Sequence, residues 1–110
     1  MKVKTEERDN AVIINLFGEM MLGYEANDFH EAILKAIESN KKNIVVDLSN
    51  VKFITSWGIG ILVYGYTTTT NSGGKFKIVA VPEKVEQVLK TTNLDKVFDK
   101  YVTIEEALKI

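Results

Sequence analysis

One segment constrains the fold of this chain more than any other: an apolar run that leads, within a few residues, to two adjacent hydroxyl side chains. Residues 44–48 are β-branched or aliphatic apart from one aspartate, as in a strand that is covered on both faces of a sheet. A short turn is predicted after this strand, and a helix is predicted to begin near Trp57, with Thr55 and Ser56 at its entrance. A helix entrance leaves backbone N–H groups unpaired and carries a positive partial charge, so we expect the function to lie at this junction.

The periodicity of apolar residues predicts the other elements. Weak alternation over residues 2–8, a turn signal at Asp9-Asn10 and an apolar run at 11–17 indicate an opening β-hairpin. Further predicted elements are a helix at 24–39, a helix from about 57 to 70, a strand at 76–81, a helix at 83–90, a short strand at 101–102 and a last helix capped by Thr103. Helix crossovers require parallel neighbours, so this order predicts an α/β fold. We expect a mixed, mostly parallel sheet of four to five strands, four helices and an N-terminal hairpin.

Composition restricts the class of protein. With 110 residues, 45% of them hydrophobic and 26% charged, residues 1–110 are predicted to form one globular domain. The net charge is −1 and the charges are interspersed, so direct nucleic acid binding is not expected. No segment approaches the roughly 20 apolar residues that span a bilayer, and the polar first residues lack a secretory core. We therefore expect no membrane insertion and a cytoplasmic location.

The inventory of reactive side chains points away from catalysis. The chain has no cysteine and a single histidine, His30, so thiolate chemistry is excluded and a histidine-based metal site or triad is hard to build. A hydrolase using Ser56 would lack an evident base. We expect no cofactor, no metal and no enzymatic activity, and we expect His30 to be solvated on its helix. Gly58 and Gly60 lack the lysine of a phosphate-binding loop and are attributed to close packing or a tight helix entry.

Three blocks of sequence resemble a known family. Gly18-Glu19-Met20-Met21 stands where that family commonly has Gly-Glu-Leu-Asp. Residues 47–60 resemble its signature, Asp-Leu-Ser-x-Val-x-Phe-x-Asp-Ser-Ser-Gly-Leu-Gly, and residues 73–82, 88–89 and 94–98 match its second half. On these residues the chain is identified as a member of the STAS domain family (sulfate transporter and anti-sigma factor antagonist), and it is similar to the stand-alone bacterial anti-sigma factor antagonists.

The resemblance implies a function that works by binding. In these antagonists the unphosphorylated protein binds an anti-sigma factor that is also a serine kinase, and so frees the sigma factor. Phosphorylation of the first serine of the signature, which matches Ser56, breaks the complex, and a phosphatase restores it. The implied partners are therefore an anti-sigma factor kinase and a phosphatase. The predicted partner-binding residues are Met20, Met21, Thr55, Ser56, Trp57, Ile59 and Gly60.

Three positions depart from the family pattern. Thr55 and Met21 replace aspartates, and Trp57 replaces the second serine of the signature. These changes suggest a divergent partner, or a module that binds without being phosphorylated, such as a constitutive scaffold subunit of a stressosome-like or membrane lipid-transport assembly. Ser56 can also act simply as a helix cap, Thr55 is assigned a structural role, and Trp57 is either an exposed anchor or packed on Phe53 and the sheet.

Overall fold

The computed structural model describes residues 2–8, 11–20, 26–41 and 43–109. The elements are, in order, β1 Lys2–Arg8, β2 Ala11–Met20, α1 Ala26–Glu38, β3 Asn43–Ile54, α2 Ser56–Asn71, β4 Lys75–Val79, α3 Glu83–Thr91, β5 Asp99–Tyr101 and α4 Ile104–Leu108. This succession confirms the predicted α/β order. The predicted start of the first helix, at residues 24–25, lies outside the described residues.

The five strands form one sheet in the order β1-β2-β3-β4-β5. The pair β1–β2 is antiparallel, and every other neighbouring pair is parallel. The predicted N-terminal hairpin and mostly parallel sheet are therefore confirmed. Because the β3 strand is central and parallel to both neighbours, its carboxyl end lies beside that of β2, where the chain enters α2.

The sheet is covered unequally on its two faces. Side chains from α1, α2 and α3 join the larger apolar cluster on one face. The other face carries a small cluster of Ile13, Val45 and Val79 beneath Ala107 of α4. Lys77 is buried on this second face, where its ammonium donates a hydrogen bond of 2.6 Å to the Ala107 carbonyl. Since α2 supplies core residues to the larger cluster, the position of its entrance is fixed by packing.

The turn predicted after residue 48 is wrong, because β3 continues to Ile54. Asn15 pairs with Asp47 but Phe17 pairs with Asn50, so β3 carries one extra residue at this point. β3 carries a second extra residue opposite the step from Gly18 to Glu19 of β2. The Asp47 carboxylate accepts the Ser49 N–H at 2.9 Å within the first bulge. Pairing with β2, which itself extends past the predicted end at residue 17, holds these polar residues in the sheet.

The strand boundaries near the C-terminal half also differ from the prediction. β4 ends at Val79 rather than at residue 81, because Ala80 adopts a positive φ of 53°. β5 lies at Asp99–Tyr101 instead of 101–102. The predicted cap of the last helix is confirmed, since the Thr103 hydroxyl accepts the Glu106 N–H at 3.1 Å. In the part of the chain that the structure describes, no helix has the length and apolar character needed to cross a membrane.

Candidate functional site

Thr55 is the cap of α2. Its backbone is extended (φ −103°, ψ 179°), its carbonyl accepts the Ile59 N–H at 2.9 Å, and its hydroxyl accepts the Gly58 N–H at 3.5 Å. These are the features of an N-cap residue. Ser56 is the first helical residue and is exposed. The structural role assigned to Thr55 is therefore confirmed, and the cap role considered for Ser56 belongs to Thr55.

The electrostatic setting of Ser56 favours an anion. The first turn of α2 contains no acidic residue, so no side chain of that turn offsets the positive partial charge of the helix entrance. Backbone N–H groups in a first turn are the usual donors to phosphate at helix N-termini. A phosphate carried by Ser56 would therefore lie where helix polarity stabilises a negative charge.

The side chains that follow Ser56 divide between the surface and the core. Trp57 is 64% exposed and Gly60 is also exposed, so of the two interpretations of Trp57 the structure supports the exposed one. Ile59 is only 5% exposed and belongs to the larger core cluster. At 100° per residue, Ile59 points about 200° away from Trp57, which explains why the two differ. Ile59 therefore packs the start of α2 into the core and does not form part of the exposed surface of the site.

The methionines lie at the edge of what is described. Met20 is the last residue of β2 and pairs with Ile54, the residue before the cap. The backbone of Met20 is therefore adjacent to the entrance of α2. The Met20 side chain and the whole of Met21 lie outside the described residues.

His30 is only partly exposed, rather than solvated as predicted. Its ring stacks on Tyr64 of α2, with centroids 3.8 Å apart and planes inclined by 35°. The Nε2 atom is buried without a hydrogen-bond partner in the described structure, and burial lowers the pKa of His30 below its ordinary value of 6.5. The physical reason is the close contact between α1 and α2, which places a residue of the polar helix face against an aromatic ring.

Gly65 makes this close contact possible. A Cβ at this position would lie 2.8 Å from Ile33 Cδ1 and 2.9 Å from Phe29 Cε2, both on α1. A glycine in a helix interior is the signal in the sequence from which the contact could have been inferred. Gly58 and Gly60 stand out in the signature while Gly65 does not, so neither the helix contact nor the partial burial of His30 is predicted from the sequence.

The outward face of α2 carries exposed aromatic side chains. Trp57 and Tyr64 are 64% and 44% exposed, and with Gly60 between them they occupy neighbouring positions on one helix face. We call these three residues the α2 strip. Leu34, one turn beyond His30 on α1, is also 46% exposed. The site thus combines a hydroxyl, a helix entrance and apolar surface, and no group of His, Asp or Glu suited to holding a metal occurs among the described residues.

Comparison with known proteins identifies the family. The STAS domain model matches residues 2–107, so the chain belongs to the STAS domain family, as the three sequence blocks predicted. A Thermotoga maritima protein, assigned provisionally as an anti-sigma factor antagonist, is 42% identical over 66 residues, which are 60% of this chain and 58% of the relative. The alignment thus spans less than two thirds of that relative's length.

Two further similarities extend over nearly the whole chain. The anti-sigma-F factor antagonist RsfB of Mycobacterium tuberculosis is 28% identical over 106 residues, covering 96% of this chain and 85% of RsfB. A crystal structure from Thermotoga maritima, also provisionally assigned as an anti-sigma factor antagonist, superposes with a TM-score of 0.85 at 31% identity. That superposition covers 97% of this chain and 92% of the other. The fold is therefore that of STAS domain structures.

Proposed function

We propose that this protein is an anti-sigma factor antagonist that acts by binding rather than by catalysis. It binds an anti-sigma factor with serine kinase activity, and phosphorylation of Ser56 ends the interaction until a phosphatase removes the phosphate. The observation that carries the assignment of Ser56 is its exposed position at the entrance of α2, beside a cap formed by another residue. The similar proteins are named as anti-sigma factor antagonists, and we propose that this protein likewise regulates transcription, in the cytoplasm.

The separation of cap and phosphoacceptor explains how such a switch would leave the fold intact. The Thr55 hydroxyl accepts the capping hydrogen bond, so modification of Ser56 removes no bond that holds the helix. A phosphate adds a charge of about −1.5 to −2 and three acceptor oxygens. At a helix entrance that charge is tolerated, whereas a partner that covers Ser56 would have to bury it. The switch thus works by exclusion at the contact surface.

The proposed contact surface surrounds Ser56. It consists of Thr55, Ser56, Trp57 and Gly60 at the start of α2, together with Met20, the last residue of β2, and Met21, the next residue in the sequence. Ile59, which is buried, contributes by positioning the helix. Exposed tryptophan is enriched among the residues that dominate binding energy at interfaces, so Trp57 is the proposed anchor.

A second candidate is a constitutive scaffold subunit, in a stressosome-like or membrane lipid-transport assembly. The observation in its favour is the exposed indole of Trp57 directly beside Ser56, where the family pattern has a serine. Such a surface suits a permanent apolar contact as well as a switched one. The two candidates differ in whether Ser56 is ever modified.

Intact-mass and peptide mass spectrometry distinguishes the two candidates. The protein is isolated from its own host, and recombinant protein is separately incubated with ATP and each purified anti-sigma factor kinase of that host. Phosphate on Ser56, and its absence from a Ser56→Ala control, supports the proposed switch. Phosphate on Thr55 instead would keep the switch and make Thr55 the phosphorylation site. Protein that stays unmodified under several growth conditions, in a stable complex, would contradict the switch and favour the scaffold.

A further inference from the structure

Thr69 is a buried residue of α2 whose hydroxyl has no partner among the described residues. The residue is 1% exposed, and its Oγ1 atom is buried without a hydrogen bond in the described part of the chain. Thr70 and Ser72 of the same helix, by contrast, donate their hydroxyls to carbonyls four residues back in the chain. Buried polar atoms in native proteins nearly always have a protein or water partner, because an unpaired one costs free energy. The Thr69 hydroxyl therefore requires a partner that the described residues do not supply.

Packing alone does not account for a threonine at this position. Thr69 follows Gly65 by four residues, so it lies one turn beyond the point at which α2 contacts α1 most closely. Valine has the same branched shape and a similar helix propensity, and it would occupy this space without burying a polar atom. The hydroxyl is therefore the feature of Thr69 that needs an explanation.

A small pocket adjoins Thr69 where α1 and α2 end side by side. Its volume is about 20 Å³, and one water molecule needs roughly 10–15 Å³ of such space. The pocket is thus large enough for one water molecule and too small for an organic ligand. The described residues that line it are Ile37, Asn40, Lys41, Thr69, Ser72 and Gly74.

Both helix ends beside the pocket are closed by the same backbone motif. Asn40 after α1 and Gly73 after α2 have positive φ angles of 62° and 82°. The next N–H group, of Lys41 or Gly74, bonds back to a carbonyl of the last helical turn, at 3.0 Å in each case. These are Schellman motifs, which pair the carbonyls at a helix end with backbone donors. The frame of the pocket is therefore hydrogen-bonded within itself, and the Thr69 hydroxyl is not.

The charges around the pocket favour a neutral molecule. The carboxyl ends of two helices carry negative partial charge, which opposes an anion. Lys41 belongs to the lining and its ammonium lies 3.7 Å from a Glu7 carboxylate oxygen, so a positive charge is already present and opposes a metal ion. Water satisfies an orphaned hydroxyl without adding charge.

We propose that this pocket holds one ordered water molecule, which is hydrogen-bonded to Thr69 Oγ1 and bridges the ends of α1 and α2. The inference is independent of the proposed function. A buried water molecule needs two to four polar partners. Besides Thr69, the lining offers the side-chain amide of Asn40 and the hydroxyl oxygen of Ser72, which donates its own proton to Thr68 and keeps its lone pairs. The water thus extends the contact between the two helices from Gly65 to their carboxyl ends.

High-resolution crystal structures of the wild type and of Thr69→Val test the site directly. We expect a water molecule about 2.5–3.0 Å from Thr69 Oγ1 in the wild type, and no water at that place in the variant. A Thr69 hydroxyl that donates to the Gly65 carbonyl instead would overturn the proposal, as would a pocket whose side chains close over the hydroxyl and exclude water.

Thermal unfolding of Thr69→Val tests the same water in solution. If the water is bound, valine removes a hydrogen bond to it, so we expect the melting temperature to fall by about 4 °C or more. Thr67→Val is the matched control, because Thr67 is exposed on the same helix, and its melting temperature should stay within about 2 °C of the wild type. A Thr69→Val protein that melts at or above the wild type would show that the hydroxyl is unpaired, and would overturn the proposal.

A comparison of salts separates water from a monovalent cation. We expect the wild type to melt at the same temperature in sodium, potassium and choline chloride of equal concentration. A higher melting temperature in sodium or potassium chloride, lost in Thr69→Val, would assign the pocket to that cation and overturn the proposed water.

Discussion

At the scale of single residues, His30 makes stability depend on pH. Burial lowers its pKa below 6.5 in the folded state, so the unfolded chain binds the proton more tightly. The contribution to stability is therefore complete above pH 6.5 and decreases as the pH falls below that value. We expect the free energy of unfolding to drop more between pH 7.5 and 5.5 for the wild type than for His30→Phe, which keeps the stack on Tyr64.

Urea denaturation at several pH values measures this difference. Carboxylates that titrate in the same range affect both proteins equally, so the difference between the two curves isolates the histidine. If the free energies of unfolding of the two proteins changed in parallel with pH, the imidazole would not be desolvated by Tyr64.

Two glycines of one helix are predicted to respond in opposite directions to the same change. Gly65→Ala pushes a methyl group against Ile33 and Phe29, whose nearest atoms would lie 2.8 and 2.9 Å away. Overpacking of this kind costs about 1–3 kcal/mol. Gly60→Ala meets no neighbour and should gain up to about 1 kcal/mol of helix propensity. The denaturant midpoints of Gly65→Ala and Gly60→Ala, each compared with that of the wild type, test these two predictions. Equal shifts of the two midpoints would contradict the close packing of α1 on α2.

At the scale of the helix, the assignment of the cap predicts unequal effects at two adjacent hydroxyls. Thr55→Ala removes the cap and should cost about 1 kcal/mol of unfolding free energy, while Thr55→Asp keeps an acceptor and should not. Ser56→Ala should lie within about 0.5 kcal/mol of the wild type, as surface changes usually do. Thermal unfolding of the three variants measures this. A Ser56→Ala cost equal to that of Thr55→Ala would show that Ser56 shares the cap.

The helices and strands could be predicted from the sequence because their apolar periodicity is strong. The junctions between them were less predictable. The polar residues between Leu48 and Ile54 resemble a turn in sequence, and only their pairing with β2 turns them into bulges. Residue type alone does not show which of two adjacent hydroxyl residues at a helix entrance is the N-cap, because the backbone angles decide it. Trp57 and Ile59 were both placed on the contact surface, although the phase of the helix sends them to opposite sides.

At the scale of the whole molecule, one helix serves both the fold and the site. The inner face of α2 joins the core through Ile59, Ile61 and Leu62, while its outer face leaves Trp57 and Tyr64 exposed. The sequence motif predicts the candidate site at this junction because strand, cap and helix are contiguous in the chain. The stack of His30 on Tyr64 joins two helices and is a tertiary feature, which the motif does not contain.

This division of α2 predicts that phosphorylation changes binding and leaves the fold unchanged. The modified group is exposed and breaks no capping bond, so the melting temperature of the phosphorylated protein should stay close to that of the unmodified one. The affinity for the partner should fall because the phosphate must be desolvated at an apolar contact.

The most direct measurement is a calorimetric titration of the anti-sigma factor kinase with unmodified protein and with protein phosphorylated at Ser56. We expect the unmodified form to bind and the phosphorylated form to bind at least about a hundredfold more weakly, which corresponds to roughly 2.8 kcal/mol, with both forms fully folded. Equal affinity of the two forms would contradict the switch and would favour a constitutive scaffold.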